Sequence, residues 1–185
     1  MGIVQVRLDT YDNRWFNPGN PVKRILWYYT NAIFFHSYLF PISGIKVALL
    51  KLFGAKVGKG VVIKPNVNIK YPWFLSIGDY TWMGEKVWID NLCEVRIGSH
   101  CCLSQESYLL TGNHNYKKST FDLITQSIIL EDGVWIGAKA VVAPGVVCHQ
   151  NALLTVCSVA SQSLDANSIY SGNPAVKIRE RIIKS

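Results

Sequence analysis

A six-residue repeat runs through most of the chain from residue 57 onward, and each of its blocks begins with an apolar residue. The chain as a whole is 49% apolar, so a run this long without an exception would arise by chance roughly once in 10⁴ to 10⁵ trials. A period of six is neither the 3.6 of an amphipathic helix nor the 2 of a strand, and it predicts a β-solenoid. The fifteen block starts are Val57, Ile63, Ile69, Ile77, Met83, Ile89, Ile97, Leu103, Leu109, Leu130, Ile136, Val142, Cys148, Leu154 and Ala160.

The fifth place of each block is usually small or β-branched, and we expect it to face inward as well. The residues that fit this description are Val61, Val67, Thr81, Val87, Cys93, Cys101, Ser107, Val134, Ala140, Val146, Ala152 and Ser158.

Wherever extra residues interrupt the repeat, they follow a group of three blocks. If three blocks make one coil, all additions leave at one corner, and the predicted coils are 57–74, 77–94, 97–114, 130–147 and 148–165. Residues 115–129 then form a loop, and His114 is the last residue of the third coil, at the root of that loop. It follows Asn113, which we expect to face inward, so the side chain of His114 is expected to face outward. Glu94 holds the same place one coil below.

The composition fits a single domain of 185 residues with a sizeable core. The net charge is +7, but there is neither a basic helix nor a nucleic-acid-binding motif, so no nucleic-acid partner is predicted. The five cysteines are an odd number without a Cys-x-x-Cys pair, which favours reduced, structural thiols in a cytoplasmic protein.

The stretch ILWYYTNAIFFHSYLF, residues 25–40, is apolar, but polar residues interrupt it and it ends at Pro41. It is therefore predicted to be a packed helix that does not span a membrane, and contact with a membrane surface is left as an alternative. Because an open solenoid end exposes unpaired backbone, residues 22–53 are expected to cap the first coil. Packing there, or against a neighbouring subunit, is expected for Leu26, Trp27, Phe34 and Leu49.

Four segments of the chain resemble the hexapeptide-repeat acetyltransferases, most closely those of colanic acid and related surface polysaccharides. They are VGKGVVIKPNVNIKYPW, IGSHCCLSQESYLLTGNHNY, VWIGAKAVVAPGV and SIYSGNPAVKIRERI, and the resemblance extends from about Leu50 to Ile183. It implies an all-β solenoid, a left-handed parallel β-helix of about five coils with short N-terminal helices and a C-terminal capping helix. The handedness does not follow from the period.

The same resemblance implies three regions and a set of partners. Residues 1–56 would be an N-terminal extension with hydrophobic helices, residues 57–173 the β-helix with its loop 115–129, and residues 174–185 the C-terminal helix. The protein would be a homotrimer that uses acetyl-CoA as acyl donor, needs no metal, and acetylates a saccharide acceptor that is free or lipid-linked.

His114 lies in TGNHN, which matches the TG-x-H segment of the family, and the resemblance implies that it is the general base. The chemistry is reasonable, because a sugar hydroxyl is almost wholly protonated at neutral pH and an imidazole can take its proton during attack on a thioester. The resemblance also suggests that the backbone N–H of Ala138 stabilises the oxyanion.

A base histidine needs a partner on its other ring nitrogen. Glu94 is the geometric candidate, since stacked strands lie roughly 4.8 Å apart. Asn91 matches, loosely, an asparagine of the galactoside acetyltransferases that contacts substrate, and Asp90 is a weaker substrate-binding candidate. For all three, an ordinary place on the solenoid surface stays open.

For the acyl donor, the resemblance implies a set of residues in the last coils and the terminal turn. They are Ala138, Val156, Ser161, Gln162, Asn173, Pro174 and Arg179. The family often has Thr-Lys where this chain has Ser161-Gln162, which removes a cation that would bind phosphate. Trp135 is assigned to the wall of the acceptor or acyl pocket, with structural packing as the alternative.

Three other functions are alternatives to sugar O-acetylation for a chain of this kind. N-acylation of an amino sugar would use the same site, and a non-catalytic trimeric scaffold would dock through its hydrophobic N-terminal segment. A metal enzyme of the carbonic anhydrase type, which shares this β-helix, needs three convergent histidines, and the spacing of His100, His114 and His149 argues against it. Acetyl transfer to a sugar hydroxyl in surface polysaccharide biosynthesis, in the cytoplasm or at the inner face of the membrane, remains the predicted function.

Overall fold

The hexapeptide region winds into a prism with three faces, each made of parallel strands, and the chain passes through the faces in the order A, B, C. The computed structural model describes residues 4–184. Face A consists of β1 (Lys56–Val57), β4 (Leu75–Ile77), β7 (Val95–Ile97), β12 (Ile128–Leu130) and β15 (Val147–Cys148). Face B consists of β2 (Val62–Ile63), β5 (Trp82–Met83), β8 (Cys102–Leu103), β13 (Trp135–Ile136), β16 (Leu153–Leu154), β18 (Ser168–Gly172) and β19 (Ala175–Glu180). Face C consists of β3 (Asn68–Ile69), β6 (Trp88–Asp90), β9 (Tyr108–Leu110), β14 (Val141–Val142) and β17 (Val159–Ala160).

The predicted solenoid is confirmed, with one small difference in the coil count. Faces A and C each have five strands, whereas β18 adds a sixth parallel strand to face B and so begins a further turn. We name the corners between the faces AB, BC and CA.

The interior of the prism is made by the repeat. All fifteen first-place residues are buried, and so are eleven of the twelve fifth-place residues. The exception is the half-buried Cys93, at the CA corner. Asn113, at the matching place of the third coil, is exposed, so the expectation that it faces inward is wrong. The reason is that the coil ends at Thr111, which is buried instead.

Two helices close the first coil. They are α1 (Pro21–Thr30), which a π-helical turn continues over Asn31–Phe35, and α2 (Ser43–Leu52). Trp27 is buried and its Nε1 donates to the carbonyl of Ile69 at 2.8 Å. The ammonium of the buried Lys46 donates to the carbonyl of Lys64 at 2.9 Å, and burial lowers the pKa of this lysine. These bonds satisfy edge backbone groups that have no further strand beside them.

The cap packs largely as expected, with one exception. Phe34 and Leu49 are partly buried against the core, but Leu26 is exposed. Leu26 therefore does not pack on the first coil. Within residues 4–184 no helix is long and apolar enough to cross a membrane.

The chain ends in a β-hairpin, and the expected C-terminal helix over residues 174–185 is wrong. After the cis Asn173–Pro174 peptide, β19 runs back antiparallel to β18. Apolar and charged residues alternate from Val176 to Arg179, a period of two that suits a strand. Arg181 fastens the hairpin to the prism by donating to the carbonyls of Gly133 and Asn151.

Candidate active site

His114 lies on a second hairpin, which projects from the CA corner of the third coil. Its strands are β10 (Gly112–His114) and β11 (Leu123–Thr125), paired antiparallel so that His114 lies opposite Leu123. The predicted loop 115–129 is therefore shorter, because the chain folds back at residues 115–122 and the fourth coil resumes at Ile128. The side chain of His114 is placed by a paired strand and not by a free loop.

The imidazole of His114 is held on two sides. Its ring stacks on Phe121 with the ring centroids 4.3 Å apart and an interplanar angle of 4°. Its Nδ1 lies 2.9 Å from the carbonyl oxygen of Phe121. A carbonyl only accepts, so Nδ1 carries the hydrogen and Nε2 is left as the acceptor in the neutral ring. Tyr11, from the N-terminal segment, adds a tilted contact at 5.8 Å between centroids.

Glu94 does not fill the role expected of it. Its carboxylate is paired with Arg96, with Oε1 2.7 Å from Nε, and the carbonyl of Phe121 holds the His114 nitrogen instead. Asp90 is also engaged, since Lys70 Nζ lies 2.9 Å from its Oδ1 and the Tyr108 hydroxyl donates to Oδ2 at 3.4 Å. Burial, and then the neighbouring carboxylate of Asp90, raise the pKa of Tyr108 to about 12.

Asn91 is a structural residue in this chain, contrary to its assignment as a site residue. It is fully buried. Its Oδ1 accepts from the backbone N–H of Tyr71 at 3.0 Å, and its Nδ2 donates to the Tyr71 carbonyl at 2.6 Å. Both ends of the amide are therefore used to join two coils at the CA corner, and the side chain has no exposed surface.

Ala138 lies in a tight turn at the BC corner of the fourth coil. The N–H of Ala140 donates to the Gly137 carbonyl at 3.2 Å, and Lys139 has a φ of +57°, which are features of a type II turn with Ala138 at its second place. The Ala138 carbonyl accepts from Cys157 in the next coil, whereas its N–H has no acceptor among residues 4–184. A backbone donor is thus free at this corner.

Three further acyl-donor candidates gather near Ala138. Val156 is exposed in the matching turn of the fifth coil. Asn173 and Pro174 form the turn between β18 and β19, and the Gly172 N–H beside them donates to the Ser158 hydroxyl at 2.9 Å. The BC corner therefore brings together Ala138, Val156 and the Asn173–Pro174 turn.

The remaining candidates lie elsewhere. Ser161 and Gln162 follow β17 and are exposed at the CA corner of the fifth coil. Arg179 lies on β19 opposite Ile169, towards the AB side of face B. Trp135 is on the outer side of face B, half-exposed, and its Nε1 donates to the Ser104 hydroxyl at 2.9 Å. One subunit does not bring these residues together with His114.

A pocket of about 770 Å³ lies between the N-terminal segment and the hairpin that carries His114, and His114 itself is not among its lining residues. Its walls include Asp12, Trp15, Asn115 and Asp122. Sequence reasoning missed this segment, as it missed Tyr11 and Phe121. No motif marks Tyr11 or Trp15, and Phe121 contributes a carbonyl that any residue would have. Among residues 4–184 no three His, Cys, Asp or Glu side chains are grouped to hold a metal ion.

Comparison with known proteins gives the family. The chain is 41% identical over 167 residues to the Escherichia coli K12 protein named for colanic acid biosynthesis, the acetyltransferase WcaF. The alignment covers 90% of this chain and 92% of that protein. No family model matches the chain.

Solved structures share the fold. A hexapeptide-repeat acetyltransferase of Vibrio cholerae in complex with acetyl-CoA has a TM-score of 0.78 at 21% identity, over 88% of each chain. A galactoside acetyltransferase in complex with coenzyme A has a TM-score of 0.77 at 24% identity, over 88% of this chain and 82% of that one. The chain is therefore an acetyltransferase with the left-handed β-helix fold, and it belongs to the hexapeptide-repeat acetyltransferases of the colanic acid biosynthesis type.

Proposed function

We propose that this protein transfers an acetyl group from acetyl-CoA to a hydroxyl of a saccharide used in surface polysaccharide biosynthesis, with His114 as the general base. The observation that carries this proposal is the fixed imidazole of His114, whose Nδ1 is bonded to the Phe121 carbonyl. This bond leaves Nε2 free to accept a proton, which is what a general base requires. A neutral amine is already nucleophilic, so a positioned base favours a hydroxyl acceptor over an amino sugar.

In the proposed reaction, the acceptor hydroxyl oxygen attacks the thioester carbonyl carbon while Nε2 of His114 accepts the hydroxyl proton. The Ala138 N–H donates to the oxyanion of the tetrahedral intermediate. When the intermediate collapses, the carbon–sulfur bond breaks and the imidazolium returns its proton to the coenzyme A thiolate. The products are the O-acetyl ester and free coenzyme A, and the enzyme is unchanged.

We infer that the complete site lies between subunits of a homotrimer. His114 projects from the CA corner, whereas the free N–H of Ala138 lies at the BC corner of the same chain. The width of face C, roughly 10 Å for three residues of strand, separates the two corners. A neighbouring subunit that lays its hairpin against the BC corner would unite them. It would also exclude water from the site.

Acetyl-CoA would lie along the end of face C. Ala138, Val156 and the Asn173–Pro174 turn would surround the acyl end of the donor. Ser161 and Gln162 lie across the face, at a distance that an extended pantetheine arm crosses. Arg179, towards the AB side of face B, lies off this path, and its binding of a phosphate stays a prediction. Gln162 is uncharged, so this chain relies on fewer cations here than relatives with Thr-Lys.

The saccharide, free or lipid-linked, would enter through the pocket on the His114 hairpin, which is lined by Asn115 and Leu123, the chain neighbour and the strand partner of His114. Trp15 offers an aromatic face, and Asp12 and Asn115 offer hydrogen-bonding groups, which together suit a polyhydroxylated ring. Two relatives are named for colanic acid biosynthesis and for O-acetylation of galactosides, and colanic acid and galactosides are both built from sugars. Use of acetyl-CoA implies a reaction in the cytoplasm.

The experiment is a comparison of two histidine variants in acetyl transfer from acetyl-CoA to nucleotide sugars and lipid-linked saccharides. His114→Ala should fold normally and lose roughly 10²- to 10⁴-fold in kcat, the usual contribution of a positioned base. His100→Asn is the matched control, because His100 is exposed at the AB corner with a φ of +56°, which Asn tolerates. Near-native turnover by His114→Ala would show that another group is the base.

A further inference from the structure

The net positive charge of the protein comes from one part of the chain. Residues 13–78 contain nine Lys or Arg and no Asp or Glu, whereas the rest of the chain has ten basic and twelve acidic residues. The net charge of +7 is thus carried wholly by the helical cap and the first coil. Among the nine, Arg14 and Lys70 pair with described acids and Lys46 is buried, and the other six form no ion pair within residues 4–184.

The apolar stripe of α1 faces outward in the same region. Val22, Ile25, Leu26 and Tyr29 follow the spacing i, i+3, i+4, i+7 that marks one face of a helix. Their exposed fractions are 64%, 58%, 56% and 60%, so the stripe is directed to the surface while Trp27 alone on this helix is buried. A helix that only capped the coil would turn such a stripe towards the core.

The exposed apolar surface extends beyond α1. Tyr28, Tyr38, Leu39 and Leu52 are also exposed on the cap. A groove of about 580 Å³ joins Val22 and Leu26 to Leu52, and a second groove of the same volume lies beside Ile25 and Tyr29. Apolar side chains, tyrosines and unpaired cations therefore share one surface.

We propose that this cap surface, defined by α1, residues 38–42 and the end of α2, docks on an anionic lipid bilayer. Aromatic and aliphatic side chains at this density partition into the headgroup region, and basic residues around them are attracted to anionic lipids. No helix here is long enough to span the bilayer, so the contact is a peripheral one.

Charge decides between a bilayer and a second copy of the chain. A second copy that met this surface with its own cap would bring two basic segments together, which is unfavourable. An anionic membrane supplies the missing negative charge. In a cyclic trimer, symmetry places the three caps at one level along the axis, so three such surfaces would meet one membrane together. The surface would then hold the enzyme where lipid-linked saccharides are found. This consequence rests on the proposed function, whereas the docking itself does not depend on it.

The test is vesicle flotation with the full chain, without any acetyl transfer assay. The wild-type protein should float with vesicles of phosphatidylglycerol and phosphatidylethanolamine, and not with phosphatidylcholine alone. Ile25→Ser combined with Leu26→Ser should lower partitioning about tenfold or more, whereas Ile183→Ser, a similarly exposed apolar residue outside the surface, should not. Tyr29→Ser is a milder second variant.

The electrostatic part has its own pair of variants. Arg24→Gln combined with Lys51→Gln should lower partitioning about thirtyfold, since each basic side chain near an anionic surface contributes about fivefold. Lys184→Gln is the control. Sedimentation without lipid should show the same oligomer for every variant. The proposal is overturned if wild-type protein floats with neither vesicle, if the stripe variants bind as well as wild type, or if they dissociate the oligomer, which would show that a second copy covers the stripe.

Discussion

The free N–H of Ala138 can be removed with very little other change. Proline lacks the N–H and is favoured at the second place of a type II turn. The same turn in the first coil already has Pro65 at this place, followed by Asn66 with a φ of +60°. Because the Ala138 N–H has no acceptor among the described residues, Ala138→Pro breaks no hydrogen bond of the fold. We expect its melting temperature to stay close to that of the wild type or rise slightly.

The expected loss is in catalysis. One donor to the oxyanion is worth about 2.7–4 kcal/mol, or roughly 10²- to 10³-fold in kcat. The donor acts mainly in the transition state, so the KM for acetyl-CoA should change much less than kcat. The assay is the initial rate of coenzyme A thiol release with a saccharide acceptor, together with the affinity for coenzyme A measured on the same variant.

Two controls separate the lost donor from other effects. Ala138→Ser keeps the N–H and should keep most of the activity. Glu85→Pro makes the same backbone change in the matching turn two coils below, where Lys86 has a φ of +59°, and should leave the rate unaltered. The reasoning is refuted if Ala138→Pro turns over at the wild-type rate, or if Glu85→Pro loses as much.

Two further predictions concern the interior. Lys46→Met should lower the free energy of unfolding by about 1–3 kcal/mol, because the carbonyls of Ile63 and Lys64 lose their donor. The control is Lys51→Met at an exposed position, which should change the free energy of unfolding by less than about 0.5 kcal/mol. Equal denaturant midpoints for the two variants would contradict this prediction. Burial raises the pKa of Cys101 from 9.0 to about 11 and also raises that of Cys148. In the folded protein, iodoacetamide at pH 8 should therefore modify the exposed Cys157 well before Cys101 and Cys148, as peptide mass mapping would show. The melting temperature should fall as the pH rises from about 9 to 11, because the unfolded chain loses these thiol protons at lower pH than the folded protein does. Early labelling of Cys148 would count against this prediction.

The solenoid could be predicted because the first and fifth places of each block face the core and therefore carry apolar or small residues. Every first-place residue is buried, including the less typical Met83 and Cys148. Inward places at the CA corner were predicted less well, since the extra residues there change the turn. The buried polar residues Asn91 and Thr111 bond to backbone of adjacent segments, a role that the residue types alone do not indicate.

The site was only partly predictable. His114 could be singled out by its motif, but its partner could not, because a carbonyl oxygen has no signature in sequence. Glu94 was a sound guess from stacking distance, and it fails because β10 leaves the coil and Arg96 is a nearer partner. The resemblance predicts a C-terminal helix, whereas the period-two alternation of Val176 to Arg179 favours the strand that the structure has. The proposed location of the site between subunits depends on contacts that one chain does not contain.

Mixed trimers test the central claim most directly. His114→Ala and Ala138→Pro subunits would be co-expressed with different affinity tags, and trimers that contain both would be purified through both tags. If each site takes His114 from one subunit and the Ala138 N–H from its neighbour, every mixed trimer has one intact site of three, and should show about one third of wild-type kcat per trimer. If each site lay within a single subunit, no intact site would form, and activity at the background of the two parent variants would contradict the account.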